Sequence, residues 1–213
     1  MKKLGISIIA FIAIIGFLFF NGDDVVFNEI PLIGEIKTTI EETREEEAKK
    51  AEEAFQEEVR IVMEKAQQDI VNKVHQLINE ERVDYGLRPL SWNAKLAQVA
   101  HNHSTDMALR NYFQHESPEG HDFSWRYSQV GFSCNNPRYL GGENIMFLEG
   151  YLGIDRIATA TVDGWMNSPG HRENILNPDW RSEGIGIAVS SKGDGSILDP
   201  RPTTIHYLTQ NFC

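Results

Sequence analysis

Basic clusters are almost absent from this sequence, and their absence excludes one class of function. No such cluster occurs beyond the first three residues, and the formal net charge of the 213 residues is −11. Much of the acid is local, since residues 41–60 hold nine glutamates against four lysines or arginines. Nucleic-acid binding needs a basic face, so we do not expect a nucleic-acid partner.

Cysteine is also scarce, with only Cys134 and the C-terminal Cys213. Their spacing fits neither a zinc ribbon nor a redox CxxC motif. In an oxidising compartment the two would pair and fix the chain end to the loop before Gly141, whereas in the cytosol both would be free thiols. A bridge closing about 80 residues would stabilise the fold by roughly 4–5 kcal/mol in the chain-entropy treatment.

A membrane segment is predicted in residues 1–22. Residues 4–20 carry no charge, and their length of 17 residues is close to the lower limit for a spanning helix. Lys2 and Lys3 precede them. The lysines favour the cytoplasmic side, so the C-terminal part would face outside the cell. Bulky residues at 17–20 replace the small residues of a cleavage site. We favour an uncleaved signal anchor at the cell surface; the alternative is a cleaved signal peptide and a secreted protein.

Residues 23–68 are interpreted as a charged stalk or linker. Glu, Lys and Ala dominate from Glu35 to Met63 without glycine or proline, a composition typical of helix. Apolar positions are too sparse to define a coiled coil. Two readings remain: a solvated helical spacer, or a homodimer that self-associates through Phe55, Val59 and Val62.

Residues 69–213 have the size of one globular domain with its own core. Apolar spacing predicts helices and alternation predicts strands. The helices are predicted over 70–78, 96–107, 124–130 and 154–167, and the strands over 184–189 and 203–212. Ser91 or Asn93 is expected to cap the second helix. His103 lies in the apolar row of that helix, so we interpret it as a core histidine.

Three polar clusters, each beside glycine or proline, carry the candidate chemistry. They are His115-Glu116-Ser117-Pro118, Gly142-Glu143-Asn144-Ile145, and Gly164-Trp165-Met166-Asn167-Ser168-Pro169-Gly170-His171-Arg172. Such clusters are expected on loops and helix ends. Two imidazoles and a carboxylate, those of His115, Glu143 and His171, are the groups of a metal site or an acid/base site.

The position of His171 follows from the residues before it. Ser168 suits the cap of a helix and Pro169 suits its first position, so His171 falls in the first turn. The helix dipole disfavours a charged imidazole there. A neutral imidazole can ligate a metal or accept a proton.

Taken in order, these clusters resemble the CAP superfamily of cysteine-rich secretory proteins, antigen 5 and pathogenesis-related proteins, whose domain is also called SCP. Further matching segments are Leu90-Ser91-Trp92-Asn93, Leu96-Ala97, Gly184-Ile185-Gly186 and Tyr207-Leu208-Thr209-Gln210-Asn211-Phe212. The resemblance covers about residues 69–213 and is of the microbial type, with Ser-Pro-Gly-His-Arg soon after the tryptophan.

The resemblance implies an α+β fold, a three-layer α-β-α sandwich with a central, mainly antiparallel sheet. It also implies a secreted or surface-exposed protein. The family's cleft resembles a metalloprotein site with two histidines and two acids, and some members bind zinc.

The family pattern is met only in part. His115 matches the first cleft histidine, and Glu143 matches the carboxylate of the Gly-Glu-Asn motif. The second acid corresponds to Ser168, and the other histidine corresponds to Tyr207. His206 is one residue away, which in a strand means the opposite face.

We therefore interpret His115, Glu143 and His171 as one shared cleft, in which His171 replaces the missing histidine. Two imidazoles and one carboxylate fit only the open, catalytic type of zinc site, so zinc at His115 and His171 is a candidate and no cofactor is certain. The alternative is that Glu143 braces its loop and His171 braces its helix start.

Two functions follow from this cleft. The first is an extracellular module without enzymatic activity that binds a lipid, glycan, peptide or partner protein. The second is a metal-assisted, peptidase-like hydrolase that uses the same residues. The missing second acid favours the binding module.

Overall fold

The computed structural model describes residues 31–135, 138–150, 152–192 and 203–213. The chain divides into two compact units, one ending at Glu57 and the other running from Glu58 to Cys213. The membrane segment expected in residues 1–22 lies outside the described residues. Across the described ranges, no helix combines the length and apolar character that crossing a bilayer would take.

The longest element is helix α1, Pro31–Asp84, with 54 residues. Its side chains from Glu35 to Lys65 are all exposed, in agreement with a solvated helix. Ion pairs one turn apart, such as Lys50 with Glu46 at 2.5 Å, support it by roughly 0.3–0.5 kcal/mol each. No glycine or proline interrupts the sequence between Glu35 and Asp84, so the helix has no break near residue 68.

Four shorter helices and four strands follow. The helices are α2 (Ala94–Arg110), α3 (Phe123–Gln129), α4 (Ile154–Asn167) and α5 (Pro169–Ile175). The strands are β1 (Ser91–Trp92), β2 (Gly142–Glu149), β3 (Ser182–Lys192) and β4 (Thr203–Phe212). The predicted helix over 154–167 and strand over 203–212 are confirmed at both ends. Of the two candidate caps, Asn93 is the one that accepts from the first N–H groups of α2.

The expectation that Glu143 lies on a loop is wrong, because it is the second residue of β2. The segment looks polar in sequence, yet Glu143 and Asn144 are both buried. Pairing with β4, where Glu143 faces Asn211 and Asn144 faces Gln210, supplies buried polar partners that are distant in sequence. The strand therefore lacks the alternation of apolar and polar residues that usually identifies one.

The strands form one mixed sheet in the order β1-β3-β4-β2. The β3–β4 and β2–β4 pairs are antiparallel, and the two-residue β1 pairs parallel with β3. Two carbonyls of the edge strand β2 accept hydrogen bonds from side chains: Glu143 O from Asn174 at 3.2 Å, and Ile145 O from the indole of Trp165 at 3.0 Å. These two side chains cover part of an edge that would otherwise offer unpaired backbone groups.

Helices cover both faces of the sheet, which makes the fold α+β. The larger core joins α1, α4 and α5 to one face and includes Val74, Ile157, Trp165, Ile187 and Leu208. Two smaller clusters join the other helices to the opposite face; they include Met107, Ile145 and Tyr207, and Leu96, Val99 and Tyr127.

Helix α2 lies directly on β3 because the strand has glycines there. A Cβ atom on Gly184 would come within 2.0 Å of Ala97 N, and one on Gly186 within 2.0 Å of His101 N. The face of this strand that carries the two glycines is thus the surface on which the helix rests. This close approach fixes the height of α2, and of His103, above the sheet.

The two cysteines form a disulfide, with an S–S distance of 2.04 Å. The bond joins the end of the chain to the loop before β2. Of the two alternatives drawn from the sequence, pairing is therefore the one observed. The same region has a close approach at Gly141 (φ +133°), where a Cβ would meet the Tyr127 ring at 2.5 Å.

Candidate functional site

The carboxylate of Glu143 is the centre of the candidate site. Its side chain is 1% exposed, and Oε1 lies 3.0 Å from Nδ1 of His115, whose side chain is 51% exposed. An ionised carboxylate only accepts, so Nδ1 of His115 carries the hydrogen and donates it. This fixes the tautomer and leaves Nε2, on a solvent-accessible ring, as the basic nitrogen.

Arg126 compensates the buried charge of Glu143. Its Nη2 lies 2.7 Å from Oε2 and also donates to His115 O at 2.9 Å, while Nη1 donates to His121 O at 2.9 Å. A buried carboxylate without such a partner would be strongly destabilising. Arg126 therefore holds both the carboxylate and the backbone of the His115 loop.

Two further side chains complete the surroundings of Glu143. His103 Nε2 lies 3.9 Å from Oε1 and 3.0 Å from Gln114 O. The amide of Asn211 satisfies its neighbours when its nitrogen faces Glu143 Oε2 at 3.2 Å and its oxygen accepts from Ala100 N. Burial is the main cause that lowers the pKa of His103, so its ring is neutral near pH 7.

His171 lies across the edge strand from this cluster. The centroids of the His115 and His171 rings are 6.5 Å apart. The pKa of His171 is lowered, first by burial and then by the charge that His115 would carry. The expected position in the first turn of a helix is observed, since α5 begins at Pro169. The neutral imidazole of His171 can accept a proton, and together with His115 it can contact a ligand placed between the two rings.

A chain of buried amides supports the His171 side. Asn144 donates from one nitrogen to His171 O at 3.1 Å and to Gln210 Oε1 at 3.1 Å, and it accepts from Asn174 at 2.9 Å. Gln210 in turn donates to Glu183, a fully buried carboxylate that pairs with His75. These polar side chains therefore fix the start of α5, which carries His171, relative to strands β2 and β4.

The other residues considered from the sequence lie elsewhere. His206 is buried and its Nε2 contacts Gly150 O at 3.3 Å. Tyr207 packs in the apolar cluster with Met107 and Ile145. Within the described ranges, no group of three or more His, Cys, Asp or Glu side chains is arranged to hold a metal ion.

Sequence reasoning missed three contributors: His103, assigned only to the core, Arg126, seen only as part of a short helix, and His75. Each looks ordinary within its own element. The one available signal was the position of His103 and Arg126 on faces turned toward the core, because a buried cation or imidazole needs a partner.

Comparison with known sequences assigns this chain to a family. The profile of the family described as "CAP: Cysteine-rich secretory protein family" matches residues 75–212. The chain therefore belongs to the CAP family, as its motifs predicted.

Two similar proteins come from Bacillus subtilis (strain 168). "Uncharacterized protein YkwD" is 40% identical over 119 residues, which cover 55% of this chain and 42% of that protein. "Uncharacterized membrane protein YlbC" is 37% identical over 111 residues, which cover 52% of this chain and 29% of that protein. The matched segment thus spans less than half the length of either relative.

A solved structure is also similar. It is an extracellular protein containing a SCP domain from Bacillus anthracis str. Ames, with a TM-score of 0.53 and 30% sequence identity. The match covers 68% of this chain and 40% of that one. These bacterial relatives agree with the microbial type of the sequence motifs.

Proposed function

We propose that this chain is an extracellular CAP-domain protein that binds a ligand in the cleft between His115 and His171. In this proposal residues 1–22 are a membrane anchor or signal peptide, residues 23–68 are a stalk, and residues 69–213 are the binding domain. One relative is named a membrane protein and the similar solved structure is that of an extracellular protein, which supports a surface location.

One observation carries the proposal: the Glu143 carboxylate is buried, charged and aimed at an exposed imidazole. Holding such a carboxylate costs stability unless it is fully paired, and a cluster made only for stability would more simply be apolar. Here the cluster instead orients the His115 ring, with one nitrogen directed inward and the other available to a ligand.

Binding is favoured over catalysis because the site has one carboxylate. An acid/base hydrolysis would use a second group on the other side of the substrate, and Ser168 occupies the family position for it. Ser168 is also the N-cap of α5, with no side-chain capping bond. His115 and the neutral His171 are sufficient to hold a polar or mixed polar and apolar ligand group.

Native mass spectrometry tests the proposal. The purified full-length protein is incubated with a defined mixture of fatty acids, neutral oligosaccharides and short peptides. We expect at least one saturable adduct that is lost in His115→Ala and kept in His101→Ala, a matched variant at an exposed histidine outside the cleft. If every adduct persisted unchanged in His115→Ala, or if none formed at all, a ligand-binding cleft at His115 would be contradicted.

The second candidate, a metal-assisted hydrolase, is favoured by one observation. A carboxylate that orients a histidine, with a second histidine nearby, is the outer-shell arrangement of many zinc ligands. Measuring zinc in the purified protein before and after His115→Ala decides between the two functions. Stoichiometric zinc that is lost in the variant would favour the hydrolase, and no zinc under any loading condition would favour the binding module.

A further inference from the structure

A cavity adjoins the Glu143 cluster on the side of α2 and α3. Its volume is about 430 Å³. His103 and Arg126 form the wall that it shares with the cluster, since both line the cavity and both approach Glu143. None of His115, Glu143 and His171 lines it, so this space is distinct from the cleft proposed above.

Two buried nitrogens in that shared wall have no hydrogen-bond partner among the described residues: Nδ1 of His103 and Nε of Arg126. Arg126 Nε always carries a hydrogen and is a donor. His103 donates from Nε2 to Gln114 O, so in the neutral ring Nδ1 is an acceptor. One donor and one acceptor are therefore unmet beneath the surface of this wall, where each is costly to leave without a partner.

An aromatic platform forms another part of the lining. The indole of Trp125 stacks on the ring of His121, with centroids 3.6 Å apart and an angle of 6° between planes. The stacking holds the indole rigid while Trp125 remains 43% exposed. An exposed, fixed aromatic face next to hydrogen-bonding groups suits a ligand with one apolar and one polar face.

The charges around the cavity are balanced. Arg110 binds Glu119 through two hydrogen bonds of 2.6 and 3.0 Å and lies 3.4 Å from Asp106. Arg126 is paired with Glu143. An anion would meet the carboxylates of Asp106 and Glu119, and a cation would meet two arginines, so the lining favours a neutral ligand.

We propose that this cavity is a binding site for a neutral saccharide. Hydroxyl groups both donate and accept, which suits a lining of amide, hydroxyl and paired charged side chains, and the C–H face of a pyranose ring packs on an indole. The exposed amide of Asn102 and the side chain of Gln129 line the same cavity and supply further donors and acceptors for hydroxyl groups.

Calorimetric titration of the full-length protein with neutral trisaccharides of glucose and of N-acetylglucosamine tests the site. We expect saturable binding of at least one of them and none of a trisaccharide that contains uronic acid. Trp125→Ala should weaken binding about tenfold, which corresponds to about 1.4 kcal/mol, because the variant loses the aromatic face on which the sugar ring packs.

Three variants make the result specific. Asn102→Ala removes an exposed side chain that makes no hydrogen bond among the described residues, so it should weaken binding without affecting the fold. Trp92→Ala is the matched control, since Trp92 is 41% exposed and lies outside this cavity. His115→Ala should also leave saccharide binding unchanged, which separates this site from the cleft.

Two results would overturn the proposal. One is the absence of saturable binding by either neutral trisaccharide. The other is binding with the same Kd in Trp125→Ala and Trp92→Ala. Loss of binding in His115→Ala but not in Trp125→Ala would assign the saccharide to the cleft, and would leave the proposed function standing without this second site.

Discussion

Arg126 and Glu143 form a buried ion pair in which Nη2 of the guanidinium lies 2.7 Å from Oε2 of the carboxylate. The two residues belong to α3 and β2, and their side chains are 10% and 1% exposed. The same guanidinium also binds the backbone at His115 and His121. One side chain thus couples the short helix, the edge strand and the loop that carries the exposed imidazole.

Replacing Arg126 by methionine should destabilise the fold strongly. The change leaves the Glu143 charge buried without its main partner, a loss that typically costs about 3–5 kcal/mol. Urea unfolding measures the effect. The matched control is Arg110→Met, whose ion pair with Glu119 is exposed to solvent, so its loss should destabilise the fold much less. Equal effects of the two changes would show that Arg126 does not compensate Glu143.

Reduction of the disulfide should lower stability without altering the fold's core. Cys134 and Cys213 are 79 residues apart in sequence, and a loop of this size corresponds to on the order of 4 kcal/mol in the chain-entropy treatment. We expect a lower urea midpoint in dithiothreitol. The double variant Cys134→Ser, Cys213→Ser is the control, since its midpoint should not respond to the reductant.

Acidification should destabilise the domain through its buried histidines. Burial lowers the pKa of His103, His171 and His206 below the ordinary value of 6.5. Below pH 6.5 the unfolded chain takes up protons that the folded chain does not, so stability falls as pH drops from about 6.5 toward the folded pKa values.

The histidine contribution is measured by urea unfolding at pH 5, 6, 7 and 8. In His206→Gln the slope of unfolding free energy against pH should decrease between pH 6.5 and 5, by up to the amount that corresponds to the uptake of one proton. Thr204→Ala, on the same strand, changes no titratable group and should keep the slope of the unmodified protein. An unchanged slope in His206→Gln would contradict the assignment.

A methyl group at Gly186 should not fit. The new Cβ would lie 2.0 Å from His101 N and 2.3 Å from His101 Cα, both backbone atoms of α2 that cannot rotate away. We expect Gly186→Ala to destabilise by about 3 kcal/mol or more, at the upper end of overpacking effects. Gly170→Ala is the control, because nothing lies within 4 Å of its added Cβ and alanine favours helix; it should be neutral or slightly stabilising.

Self-association through the stalk remains a proposal with a direct test. Phe55, Val59 and Val62 are exposed on α1, between 39% and 61%. If they form a seam between two copies, sedimentation velocity of the full-length protein in detergent should give a dimer, and the triple change to serine should give a monomer. Equal sedimentation of both forms would end the proposal.

The sequence predicted the helices and the last strand well because their periodicities are local. It failed at β2, where Glu143 and Asn144 are buried by partners that β4 and α5 supply. It also missed Arg126 and His103, because a residue in a short or apolar helix does not reveal that its partner is a carboxylate on a distant strand. Polar groups that satisfy one another across the fold leave no periodic signal.

The hydrogen bonds from Trp165 and Asn174 to the outer carbonyls of β2 affect how copies of the protein associate when they are concentrated at one place. Neighbouring copies that collide there find these acceptors already occupied by side chains. Growth of a continuous intermolecular ladder, the first step toward a fibril, is therefore hindered at this edge even when many copies crowd together.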